Sequence, residues 1–580
     1  MSETVRTIDL QGEPAKKRRR VRQQKEHKPT AIGRGLNKFF HHIDRGSTTG
    51  REIAAGILLC FLGVCGMFMN MQALARFFMT EGLGTAEMGE AYASFYFLSM
   101  IAAFAGSMLM GLVARLPLIQ IGSLGLSTVL ISSLGIGSGL SYANLLAVCF
   151  VSSLVFTLIS AVPQVRRAVL NAIPRSVRRA MPVAIGLLIA FIALQLTGLV
   201  QIGSSNLRVY GAGTVLNTAK IQKAVPTASF QSAAQTGSLF NFRAYNAAGY
   251  KGDSYFPLLQ VCLISAVAVF AAYALLHKKK HAMGWSFLIG TLVYFGGYLG
   301  TVVFYFTKNG ALQFELDSLW ARLWMVGSED AMHLHLPAVL SNLNIGGLLK
   351  EGFDFTAYTE AGGSVALLMA TGILTNLGLM LASADAAITT AADTEEAQKG
   401  AGLAMICSGA VNVLAPLFGM PAQSVSPLSA AGKKDGARSG LASAVAALGF
   451  LVSAFVWLVP FFCATTTSYD VQFNLYGHYG VVLAMLTDNS FIVADAVMIL
   501  AGLYMAVTAE KPDFSLGREV IPYAAAVIVS LALTNPAVGL AAGIAAHLLA
   551  NLFDRDRELS LGNILAAVPA VALIVLYVMK

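Results

Sequence analysis

Charge is what this sequence has least of. Asp, Glu, Lys and Arg make up 12% of its 580 residues, about half the share of a soluble globular chain. That scarcity excludes a string of soluble domains. Cysteine is also sparse. Cys60, Cys65, Cys149, Cys262, Cys407 and Cys463 form no Cys-x-x-Cys pair and no metal-ligand spacing. All lie within or at the ends of apolar stretches, where they read as small packing residues. No cofactor and no metal site is expected. No secretory signal peptide is expected either, because roughly 50 mostly polar residues precede the first apolar span.

What the chain does have is hydrophobic length: 56% of its residues are hydrophobic. Runs near 52–73, 93–113, 117–136, 143–163, 180–201, 257–276, 284–306, 365–390, 399–418, 421–432 with its continuation, 440–463, 488–508, 519–534 and 537–553 are candidate membrane spans. That makes about fourteen, each about long enough to cross some 30 Å of hydrocarbon. Basic residues give an independent check, since cytoplasmic loops are enriched in Lys and Arg. With the amino terminus inside, the loop carrying Arg166, Arg167, Arg175, Arg178 and Arg179 falls inside. So do Lys278–Lys280, Lys433, Lys434, Arg438 and Arg518, while the long loops 202–256 and 307–363 fall outside. The polybasic run Lys16–Arg22 resembles a nucleic-acid patch. Ahead of a membrane protein it reads instead as a cytoplasmic tail held inside by its charge and drawn to anionic lipid, so no nucleic-acid partner is expected.

Two of the spans are broken. One is Pro117-Leu118-Ile119-Gln120-Ile121-Gly122-Ser123-Leu124-Gly125-Leu126-Ser127-Thr128, and the other runs from Gly419 through Pro421, Gln423, Ser424, Ser426 and Pro427 to Gly432. Irregular backbone inside a bilayer is tolerated where protein buries it or where it lines a cavity. A pair of such breaks, one per half, points to the midplane site of a secondary transporter.

Further residues suggest a family. Thr48-Thr49 and Glu52-Ile53-Ala54-Ala55-Gly56 open the first span, which leads to Asn70. Asn171-Ala172-Ile173-Pro174-Arg175-Ser176 precedes Ala184-Ile185-Gly186-Leu187 and Ala190-Phe191-Ile192-Ala193-Leu194-Gln195. Ser429-Ala430-Ala431-Gly432 is followed by Arg438-Ser439-Gly440-Leu441, and Ile521-Pro522 by Gly539 and Gly543. Together they resemble the xanthine/uracil permeases, the nucleobase:cation symporter-2 family, nearest the adenine/guanine/hypoxanthine permease branch. The resemblance covers most of the chain from about residue 45, apart from the two outer loops.

It implies an all-α polytopic membrane protein, with about fourteen transmembrane helices in a 7+7 inverted repeat split into core and gate domains. A short extended piece and a half-helix are implied in spans three and ten. The corresponding division is a disordered basic cytoplasmic tail (1–50), a first seven-span repeat (51–306) and an extracellular loop (307–363). A second repeat (364–553) and a C-terminal apolar helix (554–580) follow. The stretch 561–579 reads either as a fifteenth span or as an interfacial helix. The expected location is the plasma (inner) membrane, and the resemblance implies a homodimer.

The site departs from the family pattern. Aligning the glycine of the family's D-T-x-G motif on Gly378 puts Thr375 at the acid position and Asn376 beside it. The span-ten glutamate falls on Leu428, and Ser127 stands where the family has asparagine. With both usual carboxylates replaced, polar neutral groups remain. Ser123, Gly125, Ser127, Thr375, Asn376, Gln423, Ser424 and Ser426 are the expected substrate-binding residues, suited to the N–H and C=O edges of a planar heterocycle. Each serine has a plainer role in bonding its own backbone, and Gln195 reads as a helix-packing residue. Asp385 is the candidate for ion coupling with H⁺ or Na⁺, and Asp495 a weaker one. For both, capping a helix or reaching headgroups is the plainer role.

The sequence therefore predicts a nucleobase permease with a small-molecule substrate, a purine or related heterocycle. The alternative is a sulfate-permease-like anion transporter on the same fold. A membrane enzyme or receptor is disfavoured, because no catalytic or metal cluster lies in the spans. His333 and His335 in the second outer loop have Glu329 and Asp330 nearby and no cysteine, too little for a zinc site.

Overall fold

The computed structural model describes residues 31–80, 85–122, 140–196, 255–308, 348–387, 395–420, 423–455, 492–552 and 560–579. The described residues are mostly helical, as suits an apolar chain, because an α-helix satisfies its own backbone inside lipid. The first half contains α1 (Ala31–Phe40), α2 (Thr49–Thr80), α3 (Thr85–Leu109), β1 (Gln120–Ile121), α4 (Tyr142–Ala161), α5 (Pro163–Ala172), α6 (Arg175–Leu196), α7 (Tyr255–Leu276) and α8 (Ala282–Lys308). The second contains α9 (Phe355–Ala361), α10 (Gly363–Ala387), α11 (Glu395–Leu417), β2 (Ser424–Val425), α12 (Ser429–Asp435), α13 (Gly440–Ala454), α14 (Ile492–Thr508), α15 (Gly517–Ala532), α16 (Pro536–Leu552) and α17 (Leu561–Met579).

Among the described residues, seven helices are long and apolar enough to cross a membrane, and five shorter apolar helices accompany them. α17 is one of the seven. Its Ala567, Ala570 and Leu573 are buried while Leu565, Val568, Val571 and Val575 stay exposed, and Asn563 Nδ2 donates to Ala172 O at 3.1 Å.

Helices meet where side chains vanish. α6 crosses α14 at Gly186 and Gly502, and a Cβ on Gly186 would stand 2.5 Å from Gly502 O. The relation is mutual, since a Cβ on Gly502 would collide with Gly186 O. Gly111 and Gly440 approach each other in the same reciprocal way. Such small-residue crossings replace the hydrophobic drive that lipid cannot supply.

Two expectations need correcting at the basic loop. Residues 163–172 form α5, started by Pro163 at its first turn, where a loop was expected. Arg175, Arg178 and Arg179 belong to α6; the helix starts just after Pro174, whose carbonyl accepts from Arg178 N at 3.0 Å. Long arginine stems let a helix enter the membrane with its charges at the rim. Arg179 there pairs with Glu519 at 3.4 Å and with Glu510. Of the two long loops expected at 202–256 and 307–363, residues 202–254 and 309–347 lie outside the described residues.

Candidate functional site

The two broken segments meet. α3 ends in a π turn, Met110–Ala114, capped by Arg115 in the left-handed region (φ 55°). The turn that follows α11 also enters the left-handed region, at Gly419 (φ 81°). Each is followed, after the same number of residues, by a two-residue strand. Proline shapes both extended pieces: a residue before proline is pushed toward extended backbone, and here these are Leu116 and Ser426.

β1 and β2 pair antiparallel, Gln120 opposite Val425 and Ile121 opposite Ser424. Ser426 N donates to Ile119 O at 2.8 Å, and Ile119 N donates to Ser429 Oγ at 3.1 Å. All of these residues are buried.

Side chains repeat the reciprocity. Ser107 of α3 accepts from Gln120 N at 3.0 Å, and Asn412 Oδ1 of α11 accepts from Gln423 N at 2.9 Å. Each strand is thus held by the helix that leads into it. Each strand's glutamine then reaches the other half. Gln120 Nε2 donates to Ser408 O at 3.2 Å and Asn412 Oδ1 at 3.1 Å, both on α11. Gln423 Nε2 donates to Ser99 O of α3 at 2.8 Å. These partners fix the amide orientations, because a carbonyl accepts and a backbone N–H donates.

Polar atoms are left over. Ser99 Oγ, Gln120 Oε1, Asn412 Nδ2 and Gln423 Oε1 are buried and make no hydrogen bond. On α10, which packs beside β2 and α12, Thr371 Oγ1, Thr375 Oγ1 and Asn376 Nδ2 are likewise buried without a partner. A buried polar atom left unpaired costs about 1–3 kcal/mol. Such a concentration suits a place completed by water or by a polar solute.

The expected site residues divide as follows. Thr375, Asn376, Gln423, Ser424 and Ser426 are all buried, the last three at the strand crossing and the first two on the adjoining helix. Ser426 Oγ accepts from Leu428 N at 3.3 Å, so this serine does bond its own backbone at the entry to α12. Ser123, Gly125 and Ser127 lie outside the described residues, as do the side chains of Asp385 and Gln195. Asp495 is buried in the first turn of α14. Sequence reasoning missed Ser99, Gln120, Thr371 and Asn412. The available signal was a polar residue inside an apolar run, such as Gln120 in Leu118-Ile119-Gln120-Ile121.

Other buried carboxylates serve helix ends. Asp435, in the last turn of α12, accepts from Met283 N at 3.0 Å and Gly284 N at 2.7 Å, the first amides of α8. Glu52 Oε1 accepts from Arg438 N at 2.8 Å, just before α13. Among the described residues no group of three or more His, Cys, Asp and Glu could hold a metal ion.

No family model matches the chain. It is 26% identical over 267 residues to the guanine/hypoxanthine permease PbuO of Bacillus subtilis (strain 168), covering 44% of this chain and 59% of the relative. The guanine/hypoxanthine permease PbuG of the same organism is 27% identical over 186 residues, 32% of this chain and 42% of that one. The guanine/hypoxanthine permease GhxP of Escherichia coli O157:H7 is 31% identical over 168 residues, 29% and 35%. The matches thus span less than two thirds of these relatives' lengths. Among solved structures, SLC26A9 aligns at a TM-score of 0.39 and 11% identity, over 85% of this chain and 65% of that one. The transmembrane domain of a cyanobacterium bicarbonate transporter, BicA, aligns at 0.37 and 13%, over 79% and 96%. The family resemblance read from the sequence holds as distant homology: this multi-pass membrane protein is a distant relative of guanine/hypoxanthine permeases.

Proposed function

We propose that the chain is a secondary transporter that carries a purine-type nucleobase by alternating access around the strand crossing. One observation carries this reading. Two antiparallel strands, one from each broken span, cross in the interior amid buried amide and hydroxyl atoms that lack partners. A purine is planar and neutral and carries N–H donors and C=O or ring-nitrogen acceptors around its edge. Amides and hydroxyls can supply the complement to each. Thr375, Asn376, Gln423 and Ser424 are the proposed contacts, with Ser123, Gly125 and Ser127 of the first segment and Ser426 between β2 and α12.

The reciprocal glycine contacts and the exchanged glutamines support a 7+7 inverted repeat of about fourteen spans. Arg45 Nη1 donates to the carbonyls of Arg115 (2.8 Å) and Arg438 (3.4 Å), and Lys434 Nζ donates to His277 O at 3.2 Å. Basic residues from four separate stretches thus gather at one end of the bundle. That end is proposed to face the cytoplasm of a plasma-membrane protein. Asp385 remains the proposed coupling acid for H⁺ or Na⁺; Asp385→Asn is expected to stop gradient-driven accumulation and leave exchange intact. A homodimer is also proposed.

Uptake of radiolabelled hypoxanthine, guanine, uracil and sulfate into proteoliposomes, with imposed H⁺ or Na⁺ gradients, tests the function. Saturable purine uptake is the expected result. Sulfate uptake without base uptake would replace this reading with an anion transporter, and binding without transport would replace it with a receptor.

A further inference from the structure

We infer that Asn412 determines specificity at the crossing by presenting its Nδ2 as a donor to an acceptor on the solute, the 6-oxo group of an oxopurine. The inference rests on the permease reading above.

Asn412 is fully buried on α11. Like Ser429 Oγ, which accepts from Ile119 N and donates to Ser426 O, its Oδ1 joins both broken segments, accepting from Gln120 Nε2 and from Gln423 N. Because both partners donate, the oxygen cannot be exchanged for the nitrogen, and the amide plane is locked. Nδ2 is therefore held in place beside the crossing with two protons and no acceptor. Joining the strands needs the oxygen alone. The nitrogen adds a desolvated donor that the protein does not use.

The leftover atom of Gln120 differs. Its Oε1 lies against Gly106 of α3, where a Cβ would stand 2.8 Å away, so α3 backbone covers it. Asn412 Nδ2 instead belongs to a residue on which both broken segments converge. A fixed donor in a dry site favours a ligand acceptor at that position and disfavours a ligand lacking one, because the donor then stays unpaired. Hypoxanthine has a 6-oxo acceptor; unsubstituted purine has hydrogen there.

The test is a double cycle on the purified full-length protein in lipid nanodiscs, with equilibrium binding of hypoxanthine and of unsubstituted purine to wild type and Asn412→Ala. Wild type is expected to prefer hypoxanthine at least tenfold, and the variant is expected to lose that preference, the two ligands binding within about threefold of each other. If the variant binds both ligands more weakly by the same factor, Asn412 acts through the strands alone and the assignment fails. Equal binding of both ligands by wild type also overturns it and leaves the permease reading standing. Binding of neither by wild type overturns both. Should Asn412→Ala not fold, Asn412→Ser keeps an oxygen for the strand amides while withdrawing the nitrogen donor, and the same collapse of preference is expected.

Discussion

Replacing Gln120 by leucine and by glutamate separates the cost of its hydrogen bonds from the cost of its idle oxygen. Gln120→Leu deletes two bonds, to Ser408 O and Asn412 Oδ1. Side-chain hydrogen bonds between membrane helices average about 0.6 kcal/mol each, so the loss is about 1.2 kcal/mol. Neither partner is stripped: Asn412 Oδ1 keeps Gln423 N, and Ser408 O stands in a helix whose ladder uses its carbonyls. The same substitution removes Oε1, buried and unpaired, which relieves about 1–3 kcal/mol. Gln120→Leu should therefore be neutral to about 2 kcal/mol stabilising. Gln120→Glu keeps the idle oxygen and replaces the donor by an oxygen that faces two acceptors. Charged side chains at a helix centre in the bilayer cost about 2.5–3.5 kcal/mol on the insertion scale, and this variant should lose a similar amount. Unfolding of the detergent-solubilised protein by an SDS titration reads both. Two equally destabilised variants, each down by more than about 2 kcal/mol, would refute the accounting. A stabilised leucine variant that has also lost solute binding would show that the polar crossing is kept for function against stability.

Two further perturbations address the end of the bundle where basic residues gather. Asp435→Asn keeps the shape of the side chain but removes the charge that caps α8 and one of its two acceptors. Since hydrogen bonds to charged groups are worth about 1.5–3 kcal/mol, hydrogen exchange at Met283 and Gly284 should speed up about tenfold or more; unchanged protection would show that the carboxylate does not hold α12 to α8. His42, buried in the turn before α2 with Nε2 2.9 Å from Thr49 Oγ1, has its pKa pushed below the usual value by burial, against the pull of Asp44. The folded state favours the neutral ring, so its contribution to holding this segment is present above the ordinary histidine pKa and fades as pH falls through the lowered one. Exchange of amides 41–47, corrected for intrinsic rates, should show extra opening at low pH that His42→Gln abolishes; equal behaviour of both proteins would remove His42 as the cause.

The breaks themselves were legible because proline, glycine and hydroxyl residues inside an apolar run contradict a simple span, as Pro117, Pro421 and Pro427 do. A short extended piece in each was implied by the family resemblance and is explained locally by the extended bias before Pro117 and Pro427; that the two pieces pair as strands was not part of it. What stayed hidden was the set of partners. Ser99, Ser107 and Asn412 each look like one polar residue in a helix, and such a residue usually bonds its own backbone, as Ser160 does with Phe156 O at 2.7 Å. Nothing in one dimension separates Asn412 from Ser160. The difference appears when α3 and α11 are brought against the opposite strand. Ser426 shows the converse, a site candidate whose hydroxyl is engaged with its own turn.

Reciprocity is the feature that unites these contacts, and it carries a mechanical consequence. Ser107 and Asn412 tie each strand to the helix that leads into it, whereas Gln120 and Gln423 tie each strand to the leading helix of the other half. A displacement of α3 relative to α11 must therefore strain both glutamine bonds together, even when each helix carries its own strand along. Through those bonds the four elements behave as one body. Relative motion is easier between elements that no such exchange joins. On the transporter reading proposed above, an alternating-access cycle should accordingly keep the strand crossing intact, with the proposed solute site moving as one unit with α3 and α11.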